Sequence, residues 1–464
     1  VSGAFDLAVI GAGPGGYVAA IRAAQLGMKV AVVEADKLGG VCLNWGCIPS
    51  KALLTGAELV ETLTQHGAAF GVSAAGVTLD YGKLIDHSRA TADRLNKGVA
   101  SLFKKNRIEW VKGRGRLVSP TSVAVSGENE RTIDAAHVLL ATGSTEWAPP
   151  SIPVDGVRVL TSREALESRR VPGNLIVIGA GAVGLEFAYV YAMYGARVTV
   201  VEMADQMLPG ADKEVAATLA REFKKKNVDV RTSTKFERLE IQGSGVRVTV
   251  SKASATEELA CDQVLVAIGR RPLSADLGLE AAGVKLDAKG FVEIDASFAT
   301  SAPSVSAIGD LVGGPLLAHK ASEQGIQAVE LIAGARAHAH LGNVPFCIYT
   351  QPQVAWIGLT EEQAREKYGE ELRVGKFPFQ ASGKAIAALH TAGFAKILST
   401  APHGEIVGAH IVGHGATDLI AEIGLAMTLE STTAEVAATC HAHPTLSEAI
   451  LEAALAAEGR AINF

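Results

Sequence analysis

Three features of the 464-residue chain predict an α/β protein with two doubly wound parallel-sheet domains and a C-terminal α+β domain. The first is an internal duplication. Val9 to Ala35 reads VIGAGPGGYVAAIRAAQLGMKVAVVEA and Val177 to Met203 reads VIGAGAVGLEFAYVYAMYGARVTVVEM, with 13 of 27 positions identical at a constant offset of 168. The second is the grammar of each copy: an apolar strand, a glycine-rich turn, a helix and another apolar strand, the opening of a doubly wound fold. The third is a change of pattern from about Gly342, where strands precede helices, as in an α+β domain with an antiparallel sheet.

The elements follow in order. Val1-Ser2-Gly3-Ala4-Phe5-Asp6 runs into an apolar strand with no charged n-region and no Arg-rich leader. A cytoplasmic protein is therefore expected, or a mitochondrial-matrix one if a presequence has been removed. Gly27 and Gly195 suit the C-caps of the two duplicated helices. Between the copies, a helix is expected over about Tyr81 to Asn106, then strand-like pieces up to Val138-Leu139-Leu140. Pro149, Pro150 and Pro153 mark a boundary near residue 148.

Leu175 to Ala192 is apolar enough to resemble a membrane span, but Glu186 and three glycines within it argue for a buried strand running into a helix. Alternating residues such as Val246 to Val250 lead to Val264 to Ile268, and Pro272 suggests a second boundary. A third stretch holds Ala307-Ile308-Gly309-Asp310 and a helix over Lys320 to Ala333. The expected divisions are 1–147, 148–275, 276–341 and 342–464, in line with a chain too long for one core.

Composition narrows the function. The 43 basic and 49 acidic residues are mixed along the chain, giving a net charge of −6 and no basic stripe, so neither nucleic acid nor a membrane is an expected partner. Only five cysteines occur, so a close pair points to redox chemistry rather than stapling.

The duplicated turns carry the first chemistry. Gly11-Ala12-Gly13-Pro14-Gly15-Gly16 places Gly11, Gly13 and Gly16 in G-x-G-x-x-G spacing. The first glycine makes the tight turn, the second lets backbone approach a pyrophosphate, and the third lets helix and strand pack closely. Glu34 ends the next strand, where an acid binds a ribose hydroxyl pair. Gly179, Gly181, Gly184 and Glu202 repeat the arrangement. Two cofactors, or a cofactor and a dinucleotide substrate, follow. Glu202 favours NAD over NADP, since its charge repels a 2′-phosphate, and Arg270 and Arg271 read as a solvated turn.

Cys42 and Cys47 lie in Gly39-Gly40-Val41-Cys42-Leu43-Asn44-Trp45-Gly46-Cys47-Ile48-Pro49-Ser50-Lys51. On a regular helix their Cα atoms would stand about 8.7 Å apart, against the roughly 7 Å a disulfide tolerates. A bond needs a turn or a distorted helix, which Asn44 and Gly46 permit, while Pro49 suits the first turn of a helix running through Lys51. The alternatives are a reversible disulfide beside a flavin or two buried free thiols; two thiols without a nearby histidine do not make a metal site. Lys51 either tunes the Cys47 thiol and faces a flavin ring or is a surface lysine.

Near the C-terminus, Cys440-His441-Ala442-His443-Pro444-Thr445-Leu446-Ser447-Glu448 shows a capping-box pattern that starts a helix at Thr445. Glu448 can then fold back onto His443, raising its basicity and fixing its tautomer for a thiol proton; the plain alternative is a polar loop. Zinc ligation by Cys440, His441 and His443 is too cramped, so no metal is expected.

Together, residues 39–54, both glycine turns, ATGS (141 to 144), AIGRRP (267 to 272), AIGD (307 to 310), LLAHKA (316 to 321) and HAHPTLSE (441 to 448) make the chain resemble the flavoprotein pyridine nucleotide–disulfide oxidoreductases over nearly its whole length. The closest likeness is to the branch that oxidises dihydrolipoamide with NAD⁺. The resemblance implies two Rossmann-like domains, FAD then NAD, a central domain and a dimerisation domain. FAD would be held by Gly11, Gly13, Pro14, Gly15, Gly16, Glu34, Gly40, Val41, Cys42, Gly115, Ala141, Thr142, Gly143, Asp310, Leu316, Leu317, Ala318 and His319. NAD would be held by Gly179, Gly181, Gly184, Glu186, Glu202, Phe236 and Gly269.

Lys51 would lie at the flavin and pair with Glu186. Cys42 would exchange with substrate, Cys47 would face the flavin, and His443–Glu448 would reach the disulfide of the other subunit of a homodimer. The implied partner is the lipoyl domain of a 2-oxoacid dehydrogenase complex, or a glycine-cleavage H protein. Trp45 is bulkier than the residue usual there, and Gln353 stands where the family often has Glu. A glutathione- or mercuric-reductase-like enzyme and a non-catalytic flavoprotein scaffold are the competing readings. The C-terminus lacks the cysteine pair of the mercuric type.

Overall fold

The computed structural model describes residues 5–73, 76–128, 130–253, 255–335 and 342–464. The Val1 to Ala4 start and the limit at residue 341 lie outside them. The chain forms two compact units: Val1–Ala52, Lys83–Trp147 and Gly269–Leu341 in the first, and Leu53–Gly82, Ala148–Ile268 and Gly342–Phe464 in the second.

In the first unit, strand Phe5–Ile10 is buried almost throughout, as a central parallel strand covered on both faces must be. Val30–Glu34 and then Glu109–Lys112 lie parallel on one side of it, and Arg131–Leu140 on the other. Val305–Ala307 extends the parallel sheet beyond Arg131–Leu140. That pairing is why the stretch after residue 276 belongs to this unit: its strand completes the sheet on which the first glycine turn sits. Arg131–Leu140 also leads an antiparallel meander with Ser122–Ser126 and Arg114–Ser119.

One face of the parallel sheet is packed by the helices Pro14–Gln25, Tyr81–Lys105 and Ala318–Ile332, with Val9, Ala19, Phe103 and Val329 in one apolar cluster. The first and last of these helices touch through glycine. A Cβ on Gly325 would fall 2.6 Å from the Gly15 carbonyl oxygen.

The second unit repeats the plan. Parallel strands run Val228–Arg231, Arg197–Val201, Asn174–Ile178, Gln263–Val266, Val159–Leu160, with a three-stranded antiparallel sheet Lys235–Gln242, Gly245–Lys252, Ala255–Cys261 beside them. The apolar run from Leu175 is strand Asn174–Ile178 followed by helix Ala182–Met193. No helix of the described residues is long and apolar enough to cross a membrane. The C-terminal part is a five-stranded antiparallel sheet in the order Phe346–Ile348, Gln353–Gly358, Glu405–Gly413, Phe394–Thr400, Leu372–Pro378. Helices Ala416–Thr428 and Glu448–Ala457 share its apolar cluster through Ile420, Ile423, Ile450 and Ala453.

Three local expectations change. The last helix begins at Glu448, not Thr445. The Thr445 hydroxyl is committed to the Ala442 carbonyl at 2.7 Å, so it does not cap; only the Glu448 half of the box forms, accepting from the Thr445 amide at 2.8 Å. The division expected near Pro272 falls at Ile268/Gly269, because Arg270–Pro272 pairs antiparallel with Ser144–Glu146 inside the first unit. Arg270 is no solvated turn residue either: its guanidinium donates to the Ser144 hydroxyl and carbonyl, both at 2.7 Å.

Candidate active site

The first glycine turn is built by contacts that exclude side chains. Gly11 has φ +102°, and a Cβ there would lie 2.4 Å from the Ala141 carbonyl oxygen. A Cβ on Gly16 would lie 1.9 Å from the Gly11 oxygen. Gly13 differs: the nearest atom to its Cβ position is the Gly40 Cα at 4.0 Å, so it faces open room. It caps helix Pro14–Gln25 with no side chain bound to the first-turn amides, which leaves them available to an anion.

Glu34 closes the turn from the next strand. It accepts from the Ala12 amide at 2.7 Å and the Asp36 amide at 2.8 Å. Burial pushes its carboxyl up, opposed by those amides. The following loop presses back, with the Gly39 amide on the Ala12 carbonyl at 2.8 Å. A Cβ on Gly40 would sit 2.6 Å from Gly13 Cα, and Val41 continues into the cysteine helix. Gly115 is buried, with Ile10 Cγ2 and Val33 Cγ1 each 3.1 Å from its Cβ position. The Ala141 amide bonds the Ile10 carbonyl, Thr142 Oγ1 donates to Leu273, and Gly143 takes φ +72°.

Asp310 accepts from Ser144 Oγ at 2.5 Å, and Arg270 donates to the same hydroxyl. Leu316, Leu317, Ala318 and His319 form the entry to helix Ala318–Ile332, with Leu317 as its extended N-cap. Beside them is a buried group the sequence motif contained without a role: Lys320, whose Nζ donates to the Gly313 carbonyl at 2.5 Å. Burial lowers its pKa, and Asp310 opposes the shift.

The cysteines sit across a broken helix. Gly40–Trp45 is one helix, Gly46 leaves helical geometry at φ −152°, ψ −112°, and Cys47–Glu61 is the next. Buried Asn44 locks the break by donating to the Leu38 and Gly40 carbonyls, each at 2.9 Å. The Cys42 thiol is in hydrogen-bond contact with Cys47. That contact, then burial, raises the Cys42 thiol, and Lys51 works in the opposite direction. Trp45 is tied down by its Nε1 on Asp36 at 3.1 Å, with Lys37 and Arg89 against its ring.

The second turn repeats the close approaches of the first. Gly179 has φ +104°, and its Cβ would fall 2.4 Å from the Ala267 oxygen; a Cβ on Gly184 would fall 2.0 Å from the Gly179 oxygen. Around Gly181 nothing lies within 4 Å of the Cβ position. Glu202 accepts from the Ala180 and Ala204 amides, both at 2.8 Å. Glu186 is buried on the helix that follows, with Oε1 accepting the Tyr349 amide at 3.1 Å. Phe236 packs into the apolar cluster of the same parallel sheet. Gly269 takes φ +131° in the first unit, its carbonyl accepting the Trp147 amide.

His443 Nδ1 is 2.9 Å from Glu448 Oε1, and the imidazole is 80% exposed. The Thr445 amide and then His443 hold the Glu448 carboxyl below its usual range. Gln353, whose changed identity put an interface contact in question, spends its amide oxygen on Thr417 at 2.8 Å.

Both glycine cradles fit a dinucleotide: each opens room at its middle glycine, aims free amides into it, and sets a carboxylate at the next strand end. Two such cradles in one chain, with a touching dithiol directly after the first, define an oxidoreductase that exchanges electrons between sulfur groups and dinucleotide cofactors.

The chain belongs to the pyridine nucleotide–disulphide oxidoreductase family, whose model matches residues 5–325, and residues 344–454 match the dimerisation domain of that family. It uses FAD and NAD and forms a homodimer. Among its relatives, a dihydrolipoyl dehydrogenase of Zymomonas mobilis is 45% identical, with 99% of each chain covered. One from Geobacillus stearothermophilus is 42% identical, covering 98% of this chain and 97% of that one. The crystal structure of LpdA from Mycobacterium tuberculosis superposes with a TM-score of 0.90 at 28% identity, covering 97% of this chain and 98% of the other.

Proposed function

We propose that the protein oxidises the dihydrolipoyl group of a lipoyl domain, in a 2-oxoacid dehydrogenase complex or a glycine-cleavage H protein, and reduces NAD⁺ to NADH. The observation that carries this reading is the Cys42–Cys47 pair, two thiols in contact across the Gly46 break and next in sequence to a dinucleotide cradle. FAD would be held by the Gly11–Gly16 turn, Glu34, Gly40 and Asp310, and when bound it supplies a two-electron relay between the dithiol and NAD⁺. NAD would be held by Gly179, Gly181, Gly184 and Glu202.

The residues then divide the work. In the oxidised enzyme Cys42 and Cys47 form a disulfide. His443, with Glu448 on its Nδ1, accepts a substrate thiol proton at Nε2. The substrate thiolate attacks Cys42 Sγ, and Cys47 leaves as a thiolate. The second substrate sulfur, as its thiolate, attacks the first and displaces Cys42. Lipoamide leaves, with two electrons and two protons left in the enzyme and solvent. Lys51 offsets the charge that collects on Cys47. The exposure of His443 in a single chain suits a base that serves the other subunit's disulfide.

Parallel steady-state assays with dihydrolipoamide and NAD⁺, with glutathione disulfide and NADPH, and with dihydrolipoamide and NADP⁺ test the reading. It expects the first pair to be fastest; a glutathione rate above the dihydrolipoamide rate would reject it.

A further inference from the structure

Three polar side chains converge in the second unit, outside the nucleotide cradles and the dithiol. Glu58 comes from helix Cys47–Glu61, His390 from the turn after helix Gly383–Ala387, and His414 from the turn between strand Glu405–Gly413 and helix Ala416–Thr428. One ligand atom from each lies within 4.8 Å of the other two, and Glu58 Oε1 is 3.5 Å from His414 Nδ1.

The His414 Nδ1 atom is buried and makes no hydrogen bond, an unmet polar group that a protein interior rarely keeps. The His390 and His414 rings stack face to face, with centroids 4.0 Å apart and planes 2° from parallel. Two imidazolium rings would repel in that arrangement, so at least one ring is neutral. Burial, with His414, His66 and Lys226 nearby, pushes His390 down to about 4.

Gln351 Nε2 donates to Glu58 Oε1 at 2.7 Å, orienting the carboxylate as an outer-shell partner would. Lys226, a cation close by, is already paired with buried Glu61, which also accepts from Tyr189 at 2.6 Å.

We infer that Glu58, His390 and His414 form a binding site for a divalent transition-metal ion of the zinc class. Two imidazole nitrogens and one carboxylate are a donor set such ions prefer, and water completes a tetrahedron. With metal–ligand bonds of about 2.0–2.2 Å in a tetrahedron, ligand atoms sit roughly 3.3–3.6 Å apart. Closure on an ion therefore needs a contraction of up to about 1.5 Å and a turn of the two rings out of their stack. The ion would tie three segments distant in sequence, and it uses no residue assigned to catalysis.

The test uses the FAD-loaded dimer with its disulfide closed, so that Cys42 and Cys47 offer no thiolate. After chelator treatment it is titrated with zinc chloride, desalted and measured for zinc content, flavin content and melting temperature. One zinc per chain and a raised melting temperature are expected. His414→Ala and Glu58→Gln should each lose the zinc while keeping their flavin, and Gln351→Ala should weaken binding about 10–100-fold. No zinc on the oxidised wild type, or full retention by flavin-loaded His414→Ala, would overturn the site.

Discussion

The two glycine cradles press the same carbonyls against their first and third glycines, 2.4 Å in both at the first and 1.9 against 2.0 Å at the third, yet their surroundings differ. Position 15 in the first copy is glycine, and its Cβ would lie 3.0 Å from both the Ala321 oxygen and Ile308 Cδ1. Position 183, its counterpart, is valine and 37% exposed. The first cradle is roofed by helix Ala318–Ile332 and flanked by the Ser144–Asp310–Arg270 network. The same loop thus suits a cofactor that stays in one copy and one that comes and goes in the other. Only the first copy leads into cysteines, so the resident cofactor is the one placed to meet sulfur.

The largest break in this comparison is Cys42→Ser. Turnover with dihydrolipoamide should fall by several orders of magnitude while flavin absorbance per chain is unchanged, since the cradle does not need the thiol. Retained turnover would move the chemistry elsewhere. Next, His443→Gln should slow turnover by about 10²–10⁴-fold, the usual worth of a positioned base, with NAD affinity intact in a binding titration.

Exchanging the two surroundings sharpens the contrast. Gly15→Val should cost about 1–3 kcal/mol through overpacking against Ala321 and release FAD on gel filtration. Val183→Gly should cost only about 0.5–1 kcal/mol of helix stability by thermal melting. Equal losses would remove the distinction between a roofed and an open cradle. Removing one charge from each cradle separates their clients. Glu202→Gln should raise the KM for NAD⁺ about 10- to 100-fold with little change in flavin content, from the loss of charge-assisted bonds; Glu34→Gln should do the reverse.

The smallest effect is one of pH. The Glu448 carboxyl is held below its ordinary value by the Thr445 amide and His443. A lowered carboxyl contributes above its unfolded pKa and loses that contribution as pH falls through the folded value. Support of His443 should therefore persist down to about pH 4.5 and fade only below it. Glu448→Gln should remove this acid limb from a rate–pH profile.

Much of this comparison is readable from sequence because it is local. The glycine spacing, the acids at Glu34 and Glu202, and the caps at Gly27 and Gly195 lie within 27-residue windows and obey one periodicity each. Gly27 and Gly195 do follow their helices with φ +88° and +97°. The long-range facts were not readable. Nothing near Val305 says that it pairs with Val138, and nothing near Arg270 says that it bonds Ser144. Lys320 sat in a recognised motif, but its burial against the Gly313 carbonyl appears only in three dimensions. The Thr445 cap failed for a local reason the pattern cannot express, a hydroxyl with a nearer carbonyl to bond. Glu58, His390 and His414 are far apart in sequence and carry no spacing signal at all.

The most direct test of the dithiol is a thiol count without turnover. The oxidised, FAD-loaded enzyme is mixed anaerobically with one equivalent of dihydrolipoamide, without NAD⁺, then alkylated and digested for mass spectrometry. The account predicts new alkylation at Cys42, absent from untreated enzyme and from a sample given glutathione instead. Unchanged alkylation at Cys42 after dihydrolipoamide, with flavin bound, would contradict it.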